Sequence, residues 1–109
     1  MDAIHRDEDG ALLGYVGPVG GAWQALTVFG YPLAEAGPYE EAEERVRRDG
    51  LARLADRWLF LEGGEWYRCV ILEADATEVR VRPDDHCYPR DVYALTLERP
   101  GPGTFRPER

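Results

Sequence analysis

The densest run of chemically capable side chains in this sequence is Asp84-Asp85-His86-Cys87, held between two prolines in Arg82-Pro83-Asp84-Asp85-His86-Cys87-Tyr88-Pro89-Arg90. As a metal site it offers His and Cys, which suit zinc, with a carboxylate as a third ligand. Adjacent side chains point in different directions, however, and no Cys-x-x-Cys or His-x-x-x-His spacing supplies the remaining ligands. His5 or Cys69 would have to arrive from elsewhere in the fold. As a thiol site, Cys87 would be the nucleophile and His86 its base, an arrangement that sequence neighbours rarely align. The prolines stiffen the loop and lower the entropic cost of holding a bound shape. The competing role for the same residues is structural, with Asp side chains bonding the loop's own backbone.

A second candidate is a set of arginines. Arg80 and Arg82 alternate with Val79 and Val81 and so share the wet face of one strand. Arg68 on the preceding strand and Arg90 in the loop can join them. Beside Trp66 or Tyr67 they could take an anionic or aromatic ligand, because guanidinium forms forked hydrogen bonds and stacks on rings. Cross-strand pairing with Glu73 and Glu78 is the competing role. The third candidate is aromatic: Trp23, Trp58, Trp66 and Tyr67 are of the types that anchor cores and also mark interface centres.

Composition limits the rest. The chain has 109 residues, a net charge of −8, and neither Lys, Asn nor Ser; all 13 basic residues are Arg. A GC-rich bacterial genome is the simplest account of that bias. A serine nucleophile, a lysine imine and a Gly-Lys-Ser/Thr phosphate loop are therefore excluded. No cofactor is expected. The acidity opposes general nucleic-acid binding, which needs a basic face. Two cysteines are too few for a disulfide scaffold or a four-thiolate zinc site. No apolar run reaches the roughly 18 residues that span a bilayer. The acidic first nine residues do not resemble a secretion signal, so a cytoplasmic protein is expected.

The elements that must position these residues read as ββαββββ. Strands over 11–16 and 22–29 flank the turn Gly17-Pro18-Val19-Gly20-Gly21. A helix follows over 39–49, with Glu40, Glu41, Glu43 and Glu44 early and Arg45, Arg47 and Arg48 late, an order that complements its dipole. Three i, i+4 pairs are expected on it, Glu41–Arg45, Glu43–Arg47 and Glu44–Arg48, with Tyr39, Ala42 and Val46 as its apolar stripe. Strands over 57–62 and 65–74 meet at Gly63-Gly64, a two-residue hairpin signal. Strands over 79–82 and about 92–98 follow, with Tyr93, Leu95 and Leu97 inward.

The expected architecture is thus α+β, a mostly antiparallel sheet with one main helix packed on it. Its C-terminal half can curl into a small SH3-like or Tudor-like barrel, an analogy of fold only. Residues 1–10 are expected to be loose and 11–98 a single domain. Residues 99–109 are expected to form a Pro/Gly-rich tail, with Phe105 alone able to dock. A single helix cannot cover a broad sheet, so the second face needs barrel closure, the tail or another subunit. The resulting reading is a small acidic binding or interaction module without catalytic activity, with a protein partner or a second copy of itself. The alternatives are a metal- or thiol-dependent enzyme using residues 84–88, and anionic-ligand or nucleic-acid binding through Arg80 and Arg82.

Overall fold

The first quarter of the chain builds a three-stranded antiparallel sheet. Its spatial order is β1 (Asp2–His5), β2 (Leu12–Val19), β3 (Ala22–Leu26). The computed structural model describes residues 1–108. The chain divides into two compact units, one ending at Arg53 and the next beginning at Leu54, and each holds one sheet.

In the first unit, α1 (Tyr39–Asp49) lays Ala42 and Val46 on Ile4, Leu13, Val16 and Ala25. This is the expected apolar stripe, and the helix has the expected bounds. Tyr39 meets Trp23 edge-on at 5.0 Å and donates its hydroxyl to Asp2 at 2.8 Å. Of the three expected ion pairs only Glu43–Arg47 forms, at 3.3 Å. Arg45 and Arg48 turn instead to Asp49, at 3.3 and 3.5 Å. Solvent-exposed pairs of this kind differ by only a few tenths of a kcal/mol, so a nearer carboxylate can redirect them.

Gly50 follows the helix with φ −53° and ψ −52°, still right-handed. Its glycine is required by close approach, not by a left-handed cap: a Cβ there would lie 2.2 Å from the Leu13 carbonyl oxygen.

Two expectations for this unit are corrected. The segment expected to be loose carries β1, because Ile4, only 4% exposed, enters the core and Asp2, Ala3 and Ile4 pair with Val16, Tyr15 and Gly14. The strand expected over 22–29 stops at Leu26. Thr27 then makes a turn, accepting from Gly30 N–H at its carbonyl and from Tyr31 N–H at Oγ1.

The second unit is a five-stranded antiparallel sheet made of β4 (Arg57–Glu62), β5 (Glu65–Ala74), β6 (Glu78–Pro83), β7 (Leu95–Glu98) and β8 (Phe105–Pro107). Its order is β7-β6-β5-β4-β8. Gly63 and Gly64, at φ +60° and +83°, make the tight turn that sets Glu62 opposite Glu65. Every later pair in that hairpin follows from this register. One face is core: Trp58, Phe60, Cys69, Val79, Val81 and Phe105 are each at most 2% exposed.

The segment expected to be a tail thus supplies β8. Phe105 pairs with Phe60 and stacks on Trp58 at 4.7 Å. A three-residue strand at the sheet's margin accommodates Pro107, its last residue, which an inner strand would not. Arg109, the last residue of the expected tail, lies outside the described residues.

The last strand of the meander begins only at Leu95, and Tyr93 is 67% exposed, not inward. Its partner β6 ends at Pro83, which has no N–H to extend the ladder. The architecture is α+β with antiparallel sheets, but in two sheets rather than one. Among the described residues no helix is long and apolar enough to cross a membrane.

Candidate functional site

The Gly63-Gly64 register aligns side chains across the sheet in rows. Directly opposite residues of an antiparallel pair share a face. Arg106 of β8, Leu59 of β4 and Arg68 of β5 therefore form one row. Arg57 of β4, Val70 of β5 and Arg82 of β6 form the next. Each row reads arginine, aliphatic, arginine. A third row pairs Leu61 with Trp66, and the Arg106 guanidinium lies 4.1 Å from the Trp66 ring centroid. This is the face opposite the core. Its aliphatic residues are half-buried, while Arg57, Arg82 and Arg106 are exposed.

The loop 84–87 closes one side of this face. The Asp85 carboxylate accepts from the backbone N–H of Arg68 at 3.0 Å and of Cys87 at 2.9 Å. Asp84 N–H donates to the Arg68 carbonyl at 2.9 Å. The loop is thereby sewn to β5. These bonds, first the one from the Arg68 amide, hold the Asp85 carboxyl below its usual range. Arg68 Nε adds a longer ion pair to Asp85 at 3.8 Å, and the Arg57 guanidinium pairs with Asp84. Between them lies a groove of about 430 Å³ lined by Arg57, Arg68, Pro83, Asp84, Asp85 and His86.

Among the described residues no three His, Cys, Asp or Glu side chains converge to hold a metal ion. Cys87 is exposed, whereas Cys69 is buried and burial pushes its thiol up to about 12. Both are free thiols. Asp85 bonds the loop's own backbone at Cys87, whereas the Asp84 carboxylate pairs with Arg57.

The arginine candidates divide into two groups. Arg68 and Arg82 fall together on the face, joined by Arg57 and Arg106. Arg80 shares the face but turns to Glu73 at 3.5 Å, in a cleft with Asp75 and Glu78. Arg90 leaves the set altogether, donating to the Tyr88 hydroxyl at 2.9 Å and to Glu62 at 3.1 Å. Arg82 has no carboxylate partner among the described residues, and neither has Arg106.

The aromatic candidates also separate. Trp58 is wholly buried, a core residue that cannot touch a partner. Tyr67 packs with Phe60 and Tyr88 at ring distances of 5.8 and 5.0 Å. Trp23 is half-buried against Tyr39 in the first unit. Trp66 alone of the four lies on the outer face of the five-stranded sheet.

Arg57, Leu59, Val70 and Arg106 were not singled out from the sequence. The first three were within reach: a two-residue turn at Gly63-Gly64 fixes which residues of the hairpin stand opposite. Arg106 was not, because nothing local marks β8. Comparison of the chain with protein-family models, with curated proteins and with solved structures finds no match.

Proposed function

We propose that this chain is a non-catalytic protein-interaction module and that the outer face of its five-stranded sheet is the surface it presents. The observation that carries the reading is the paired arginine–aliphatic–arginine rows. Leu59, Leu61, Val70 and Trp66 give an apolar centre, and arginines at both ends give a polar rim, the anatomy of a protein interface. Arg and Trp are also the types in which binding energy concentrates.

Within this reading the second unit is a small SH3-like barrel. Its support is the strand path: a meander β4-β5-β6-β7, with β8 returning antiparallel to β4 and a register shift between Ile71 and Glu73 that bends β5. The fold by itself says nothing about the ligand. Two free cysteines, one of them exposed, favour a reducing compartment such as the cytosol.

The test is site-specific photo-crosslinking in cells, with a photoreactive residue at Val70 or, as reference, at Glu44 on α1. The reading expects a discrete crosslinked species from Val70 and none from Glu44. A product of twice the chain's mass identifies a second copy as the partner, and any other mass a different protein. Equal labelling from both positions, or none from Val70, contradicts the reading.

A further inference from the structure

We infer that the outer-face strip takes an acidic, extended segment of a partner protein, and that Asp84 is an internal competitor for the same arginine. This rests on the interaction reading above and specifies its chemistry.

The geometry is set by sheet spacing. Within a row the two arginines stand two strands apart, on the order of 10 Å, and the rows are two residues apart along the strand, on the order of 7 Å. Carboxylates at alternate positions of an extended chain are also on the order of 7 Å apart. Such a segment meets successive rows with successive acidic side chains, whose aliphatic stems lie over Leu59 and Val70, while the residues between them face away. Guanidinium forks donate to carboxylate in a bidentate manner, which gives the strip directional preference.

Charge complementarity points to an acidic occupant. The rows carry four arginines, Arg57, Arg68, Arg82 and Arg106; the carboxylates paired with them are Asp84 and Asp85, and Glu108, whose N–H donates to the Arg57 carbonyl, follows β8 beside Arg57. Asp85 is 14% exposed and committed to two backbone amides, so it is part of the scaffold. Asp84 is different. Its side chain is 43% exposed, its partner Arg57 is 51% exposed, and pairs of this kind are weak and exchangeable.

The Asp84 carboxylate therefore occupies the place a partner carboxylate would take on Arg57, and it must yield when a ligand binds. The surrounding net charge of −8 repels long polyanions, whose affinity needs an extended basic surface. A local positive strip on an acidic protein thus favours a short acidic peptide over nucleic acid.

The probe is a fluorescein-labelled twelve-residue peptide of alternating Glu and Val, with its Gln–Val counterpart and a single-stranded DNA 12-mer as references. Anisotropy is read on the full chain at low salt. The inference expects the Glu peptide to bind and the Gln peptide and the DNA to bind at least tenfold more weakly. Arg82→Glu should weaken Glu-peptide binding about tenfold or more. Asp84→Asn should strengthen it severalfold. Arg90→Gln, outside the strip, should leave it unchanged.

Arg82 makes no ion pair among the described residues, so its replacement leaves the fold intact; an unchanged melting temperature checks this. Arg106→Gln is the second variant and should weaken binding in the same direction. No binding of the Glu peptide to either wild type or Asp84→Asn overturns the inference, as does binding indifferent to Arg82 and Arg106. Tighter binding of the DNA overturns it in favour of a nucleic-acid ligand. If Val70 crosslinks a partner in cells while the acidic peptide fails, the interaction reading stands and only the acidic chemistry is lost. If both fail, the interaction reading falls too.

Discussion

Asp85 ties the loop to the strand that carries the candidate surface. Its carboxylate joins the Arg68 amide of β5 to the Cys87 amide of the loop, and those bonds need the ionised form. Because its folded-state value is depressed, Asp85 contributes stability above the ordinary carboxylate range, and that contribution is lost as pH falls through the folded value. Asp9, held at about 2 first by its hydrogen bond with Arg6, and Asp75, held down first by the Thr77 amide, act in the same sense. Urea midpoints measured from pH 7 to pH 3 should fall toward acid for wild type. Asp85→Ala should have a lower midpoint at pH 7 and a shallower fall. At the same scale, the two thiols should differ in reactivity. Exposed Cys87 should react promptly with a disulfide reagent, whereas Cys69, pushed up to about 12 by burial, should react only on unfolding. The measurement is one thiol titrated in the native protein and two in denaturant; two in the native protein would contradict the placement of Cys69.

Elements tell which parts of the fold could be anticipated. The helix bounds and the Gly63-Gly64 hairpin were legible because each has a local cause, an amphipathic charge-ordered run in one case and two positive-φ glycines in the other. The outer strands β1 and β8 were not. Their residues gain stability only from partners far along the chain: Ile4 from the core beneath α1, Phe105 from Trp58 and Phe60. No window around Pro100-Gly101-Pro102-Gly103 contains that information. Phe105→Ala should accordingly destabilise the protein by about 3–5 kcal/mol, as large core deletions do, read by urea denaturation. A change under about 1 kcal/mol would mean that the segment is an appendage. Gly50→Ala offers the opposite lesson. At an ordinary helical position the change would stabilise by roughly 0.5–1 kcal/mol. Here the new Cβ would lie 2.2 Å from Leu13 O, so a loss of about 1–3 kcal/mol is expected from overpacking.

At the scale of the whole molecule, the net charge of −8 hides a division of labour. Acidic residues are ordered along α1 as dipole complements and ion-pair partners. Arginines gather in two rows on one face of the five-stranded sheet. A total charge read from composition averages over both, and the sequence pointed to Arg68, Arg80, Arg82 and Arg90 while leaving Arg57 and Arg106 out. The central claim, that this face is covered by a protein in the cell, is tested most directly by arginine footprinting. Cells and purified protein are treated with the same dicarbonyl reagent, and modification at each arginine is read by mass spectrometry. Arg82 and Arg106 should be protected in cells relative to the purified chain, while Arg48 on α1 is modified equally in both. Equal modification of Arg82 and Arg106 in cells and in purified protein would contradict that claim.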